Sequence, residues 1–197
     1  TVIVAGASTV LSVIIGTLCA LGMYKFEFKL KKVISSSLYI PIVIPELVFA
    51  IALLIFFTSL NISMSMGTLI IAHVTFSMPF VVITVRARLA GFDKSIEEAA
   101  RDLGANEFRT FWRVTLPMIF PGVISGGMLA LTMSLDDVVV SFFTAGPEST
   151  TLPLKILGMV RKGVSPDVNA LSTLMIIGTI VILLTSTLIQ GRLEKKL

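Results

Sequence analysis

The sequence predicts an all-α, polytopic transmembrane helix bundle. Three observations carry that reading. Of 197 residues, 55% are hydrophobic and only 14% charged, the mean hydropathy is +0.96, and five apolar runs each reach the roughly 20 residues that span a bilayer at about 1.5 Å per residue. A soluble domain of this length has neither that composition nor those runs. The net charge of +4 does not indicate nucleic acid, because the basic residues cluster at the ends of apolar runs, where membrane topology puts them. The lipid bilayer is the expected partner and nucleic acid is excluded. Cys19 is the sole cysteine and forms no internal disulfide. The chain starts at Thr1 rather than Met, with no signal-peptide pattern before the first run, so we expect an N-terminal truncation.

The expected spans are 1–24, 38–60, 66–88, 118–144 and 166–190. The first carries Ser8, Ser12, Gly16 and Ala20 on one stripe, a surface for close helix packing. The second contains Pro41 and Pro45, which predict a kink near its start. A short uncharged turn, 61–66, leads to the third. The fourth carries Gly122, Gly126, Ala130, Ser134, Asp137 and Ser141 along one stripe, with Asp136 about 100° around the helix. Between the fourth and fifth, "PLKILGMVRKG" predicts a short helix begun by Pro153 and stopped by Gly163. The fifth starts with Ser165 as N-cap, Pro166 at the first helical position and Asp167 near the positive end of the helix dipole. Thirteen of the 16 Lys and Arg residues follow the first, third and fifth runs. Positive loops stay inside, so these ends are cytoplasmic, with Thr1 outside and Leu197 inside. One domain, 1–197, is expected, with a long cytoplasmic loop at about 89–117.

That loop is more ordered than a connector requires. Ser95 and Glu98 match a capping box. Ile96, Ala99, Ala100 and Leu103 then recur at i, i+3, i+4 and i+7, one face of a helix. Gly104 occupies the left-handed C-cap position. A second helical stretch with Phe108, Phe111 and Trp112 runs up to Pro117. Two readings of this helix–turn–helix stand side by side: a surface helix lying on the membrane, or a helix docking into a groove of a cytoplasmic partner, where Ala permits close approach.

The segment Glu98-Ala99-Ala100, three residues, Gly104, nine residues, Val114-Thr115-Leu116-Pro117 resembles the EAA signature of ABC importer permeases, with Val114 where that family usually has Ile. The stretches "AHVTFSMPFVVITVRARLAGFD", "SLDDVVVSFF" and "LPLKILGMVRKGVSPDVNAL" are similar to the second permeases of spermidine/putrescine importers, and the likeness spans nearly the whole chain. The resemblance implies a type I ABC importer permease fold in the bacterial inner membrane. It also implies a further N-terminal span that would be missing here. Its loop would be a coupling helix in which Glu98, Ala99, Ala100, Leu103, Gly104 and Phe108 meet the ATP-hydrolysing subunit. The implied partners are two ATP-binding subunits, a second permease and a periplasmic or extracellular substrate-binding protein. No G-x-x-x-x-G-K-[S/T] occurs, so ATP would be bound by a partner; the chain itself is expected to hold no cofactor or metal and to carry no catalytic residue.

Three acids lie inside the spans: Glu46, Asp136 and Asp137. An ionised carboxylate at mid-bilayer costs about 2.5–3.5 kcal/mol on the mildest scale. No Lys or Arg lies at comparable depth, so an internal salt bridge is not expected. The acids either pair with bases of the second permease or line a water-filled path that attracts a cation. Straight helices put Glu46 about 12 Å and Asp136 about 27 Å from their inner ends; if both face one cavity, they would hold separated amines of an extended polyamine or form successive stations along its route. His73, the lone histidine, reads as a residue hydrogen-bonded within the bundle rather than a metal ligand or relay. Tyr39, Phe142 and Phe143 read as core or interface aromatics, with stacking on amines as the alternative. Three other classes remain distinguishable: a permease of the same superfamily for another solute such as iron or a phosphonate, a proton- or cation-coupled secondary transporter, and a membrane scaffold. An anionic solute fits three buried acids poorly.

Overall fold

The computed structural model describes residues 1–161 and 163–194. Among them, the chain forms α1 (Val2–Lys25), α2 (Lys31–Ser37), α3 (Ile40–Val43), α4 (Glu46–Ser59), α5 (Met66–Ala90), α6 (Lys94–Asp102), α7 (Glu107–Thr110), a π-helical turn (Phe111–Thr115), α8 (Leu116–Asp136), α9 (Val139–Thr144), α10 (Leu152–Val160) and α11 (Pro166–Glu194). Four helical stretches are long and apolar enough to cross a membrane: Val2–Lys25, Met66–Ala90, Glu107–Asp136 and Pro166–Thr185. A fifth crossing would be the pair Lys31–Val43 and Glu46–Ser59, bent by 112°.

The core is a triangle of α1, α5 and α8. Ala20, Leu21, Val81, Val82, Val85, Leu89, Ile119 and Val123 fill it. Small residues let the backbones approach, as the stripes on the first and fourth spans predict. A Cβ on Gly16 would lie 2.9 Å from Val81 Cβ, and one on Gly126 2.9 Å from Val81 Cα. Neither position has room for a larger side chain. Hydroxyls add lateral ties: Ser12 Oγ lies 2.8 Å from Ser77 Oγ, and Ser8 Oγ 3.1 Å from Ser134 Oγ. A second apolar cluster, Ala50, Ala72, Phe76 and Val140, seats α4 and α9 on α5. Helix α11 packs on α8 and α10 and is mostly exposed within the single chain.

The two ends differ in chemistry. At one, the Leu152 amide meets the Thr1 hydroxyl, and Thr68 Oγ1 donates to the Thr144 carbonyl at 3.0 Å. Here Ser65 and Thr68 form a capping box that starts α5, a start signal the sequence reading passed over. Helix α10 starts at Leu152, one residue before the expected Pro153, and ends at Val160, ahead of Gly163, which has a positive φ of 120°. Helix α11 begins at Pro166 with Asp167 in its first turn, as expected. At the other end, Lys25 meets Glu97 and Glu107, and Arg86 donates to Ser35 Oγ at 3.0 Å. Lys162, Lys195 and Lys196, used to orient the chain, lie outside the described residues.

Three expectations about helix continuity are corrected. The second run is not one kinked helix. Ile44 takes ψ 134°, the extended conformation that a following proline favours, and Pro45 then opens α4 in a new direction. The fourth span is not one helix over 118–144. It starts at Glu107, runs through the π turn into α8, and breaks at Asp137, whose ψ is 129°. The loop's capping box is not used either: Asp93 is the N-cap, its carboxylate accepting the Ser95 amide at 2.9 Å, so Ser95 lies inside α6.

Candidate functional site

The break in the second run and the break in the fourth face each other. Between them lies a cavity of about 580 Å³, lined by Pro41, Ile42, Ile44, Glu46, Phe49, Phe76, Phe80, Met133 and the stretch Asp136 to Val140. The three acids therefore share one site. The depths expected from straight helices do not hold, because the 112° bend brings Glu46 to the same cavity as Asp136. Glu46 occupies the first turn of α4, where the positive end of the helix dipole favours a carboxylate. Asp136 ends α8 and is exposed to the cavity.

Asp137 has a different environment. It is 5% exposed, and its carboxylate accepts the amides of Val140 at 3.1 Å and Ser141 at 2.7 Å. It thereby caps the free amides of α9 and offers the backbone an alternative to continuing α8. The three consecutive valines that follow, 138–140, have poor helix propensity and weaken any continuous helix further. His73 Nε2 lies 3.4 Å from Asp137 Oδ2. No Lys or Arg pairs with it among the described residues; its side-chain partner is the histidine read as hydrogen-bonded within the bundle.

His73 is fully buried and central to a polar network. Its Nδ1 lies 2.6 Å from Ser134 Oγ and its Nε2 3.1 Å from Ser141 Oγ. Ser134 reaches Ser8, and Ser77 donates to the His73 carbonyl at 2.6 Å. A ring with its proton on Nε2 donates toward Asp137 and Ser141 and accepts at Nδ1 from the Ser134 hydroxyl. Helices α1, α5, α8 and α9 are thus joined by one set of satisfied polar groups, the condition for burying them.

Aromatic residues line the cavity, and they are not the three for which stacking on amines was the alternative reading. Phe49, Phe76 and Phe80 form its apolar wall. Tyr39 is half-exposed elsewhere; Phe142 stacks edge-on with Phe143, which packs on the second cluster. Sequence reasoning missed the three wall aromatics because the long, uniformly apolar α5 gives no sign of which face meets α4.

The loop at the basic end presents an apolar face outward. Leu103 is 90% and Phe108 73% exposed. Ile96, Glu98 and Ala99 are exposed and Ala100 half-buried. Gly104 has φ 85°, the left-handed C-cap expected of it. Phe108 and Phe111 both contact Trp112, at ring separations of 6.1 and 5.5 Å. The Ser95 amide holds the exposed Asp93 carboxyl below the usual carboxylate range. The one buried residue of α6 is Glu97, which sequence reasoning did not single out. Its signal was available: position 97 lies about 100° or more around the helix from Ile96, Ala99 and Leu103, off the face they share.

An apolar helix bundle with an acidic cavity at two facing helix breaks, and an exposed capped helix at its basic end, defines a polytopic transport permease. The chain belongs to the family described as binding-protein-dependent transport system inner membrane component, which matches residues 12–197. It is a membrane-embedded permease subunit of an ABC importer, located in the inner membrane. It is 44% identical over 182 residues to the spermidine/putrescine transport system permease protein PotC of Escherichia coli (strain K12), covering 92% of this chain and 69% of that protein. It is 36% identical over 200 residues to the putrescine transport system permease protein PotI of the same organism, covering 98% and 71%. The fold matches that of an inward-facing MetNI methionine ABC transporter, with a TM-score of 0.79 and 18% identity over 98% of this chain and 92% of that one.

Proposed function

We propose that this permease imports a polyamine, spermidine or putrescine, and that Glu46 and Asp136 contact its amines while Asp137 holds the site open. One observation carries this reading: three carboxylates face a single cavity, and none of the described residues lining it is Lys or Arg. A polyamine is a flexible polycation with methylene spacers. Carboxylates bind its ammonium groups by charge-assisted hydrogen bonds. Phe49, Phe76 and Phe80 offer apolar surface to the spacers and π-faces to the cations. The names of the relatives point to the same solutes.

In the full cycle, a substrate-binding protein delivers the polyamine from outside to this chain and a second permease. Two ATP-binding subunits bind and hydrolyse ATP; this chain performs no chemistry and holds no cofactor. The loop at 89–117 is cytoplasmic, and α6 is the coupling helix. Ala99, Ala100, Leu103 and Phe108 dock on the ATPase, Glu98 lies at that contact, and Gly104 shapes the turn. An apolar face this exposed on a short helix needs a partner to cover it.

The test is uptake of labelled spermidine into vesicles holding the complete complex. ATP-dependent uptake suppressed by excess putrescine is expected. An assembled complex that hydrolyses ATP in response to its binding protein yet imports neither amine would refute the polyamine assignment.

A further inference from the structure

Glu97 is 6% exposed and is the one buried residue of α6. Its carboxylate accepts the Thr115 hydroxyl and lies 3.8 Å from Lys25 Nζ and 3.7 Å from Arg101 Nη2. Lys25 also lies 3.9 Å and Arg101 3.2 Å from Glu107. Two cations and two carboxylates thus alternate in a closed ring. It joins the last residue of α1, two turns of α6 and the first residue of α7, and through Thr115 it reaches the π turn that leads into α8.

The ring matters because little else holds α6. Its apolar residues point outward, where a partner would meet them. An isolated exposed ion pair contributes little, but a buried carboxylate that loses its cations is strongly destabilising. Attachment through charge leaves the apolar face free for docking, and Glu97 and Glu98, about 100° apart on the helix, differ in burial, Glu97 inward and Glu98 exposed. Lys25, in turn, ends a helix whose Gly16 is pressed against Val81 of α5.

We propose that Glu97 is a positioning residue that makes α6 and the inner end of α1 move as one body, so that displacement of α6 is transmitted to α1 and, through Thr115, to α8. The inference rests on the coupling role proposed above for α6.

The experiment uses the complete complex in proteoliposomes. Glu97→Gln keeps an acceptor for Thr115 and removes the ionic contacts; Lys25→Gln opens the ring from the other side; Lys25→Arg keeps the charge. ATP hydrolysis and spermidine uptake are measured together. In parallel, spin labels on Leu18→Cys and Ser95→Cys, in a Cys19→Ser background, report the spacing of α1 and α6 with and without ATP. With Glu97 and Lys25 intact, the spacing is expected to stay constant. Glu97→Gln and Lys25→Gln are expected to hydrolyse ATP normally while uptake per ATP falls about fivefold or more, the scale of an ordinary coupling free energy, and their spacing changes with nucleotide. Lys25→Arg is expected to behave as the parent. Unchanged uptake per ATP in both Gln variants overturns the proposal. So does failure of both to assemble beside a normal Lys25→Arg, and so does a spacing that already changes with the ring intact. A parent complex that imports no spermidine but keeps a constant spacing, lost in Glu97→Gln, removes the polyamine reading and leaves the clamp standing.

Discussion

Asp137 and Glu97 are both buried carboxylates, yet they are stabilised by different means. Asp137 sits within the apolar bundle and is satisfied by two amides at the start of α9 and by a histidine. Glu97 sits at the basic end and is surrounded by Lys25, Arg101 and a threonine hydroxyl. In the low-dielectric interior backbone amides and an imidazole satisfy the carboxylate, and none of the described residues lining its cavity is Lys or Arg. At the membrane edge, cations are already present because topology places them there. The same residue type therefore defines a helix break in one region and ties a surface helix in the other.

The largest effect is expected from Asp137→Leu. It leaves the Val140 and Ser141 amides without their acceptor and His73 Nε2 with Ser141 Oγ alone, and the loss of a buried partner of this kind costs about 3–5 kcal/mol. Thermal unfolding in detergent should show a marked loss of stability and poor complex assembly. Asp137→Asn, which still accepts from an amide, should retain most of it. If the two variants are equally stable, the cap is not what holds the break.

Glu46→Gln and Asp136→Asn should separate transport from stability. Both residues are exposed to the cavity, so assembly should survive, while each lost charge-assisted contact removes roughly 1.5–3 kcal/mol of solute binding, tenfold or more in half-maximal uptake concentration. Loss of assembly instead would mean that these acids pair with the second permease. On the other region, Leu103→Asp places a charge on the exposed face of α6. Truncation or charging at the centre of such a contact costs about 2 kcal/mol or more of binding, so ATPase subunits should dissociate from the purified complex while the permease remains folded.

The smallest effect concerns Asp93. Its carboxyl lies below its ordinary range when folded, so its contribution to α6 is fully present above that range and is lost as pH falls through the folded value. Hydrogen exchange of the α6 amides should quicken at acid pH in the parent. Asp93→Asn, which caps without a charge, should remove that pH dependence; an unchanged profile would place its cause elsewhere.

Much of this arrangement was legible in the residues themselves. Four of the five expected spans followed from apolar length, and the small-residue stripes of the first and fourth spans became the contacts of α1, α5 and α8. Gly104, Gly163 and Pro166 punctuate helices where their backbone preferences demand. The errors share one cause. Ser95 with Glu98 and Asp93 with Ser95 are both valid start signals, and local pattern does not rank them. Treating 38–60 and 118–144 as straight helices put Glu46 and Asp136 at different depths, and it left the partners of His73 unnamed.

The sequence alone determined the class: a membrane bundle with its basic loops on one side, a signature loop and three acids out of place in an apolar run. Those features are local, written in hydropathy, spacing and backbone preference. Tertiary structure decided which residues meet. It folded the second run back by 112° so that Glu46 faces Asp136 and Asp137. It put His73 between Ser134 and Ser141, and it turned Glu97 inward while Glu98 remained outside. Uniformly apolar helices carry no periodic signal of which face packs where, so only the packing of helix on helix could settle those partnerships.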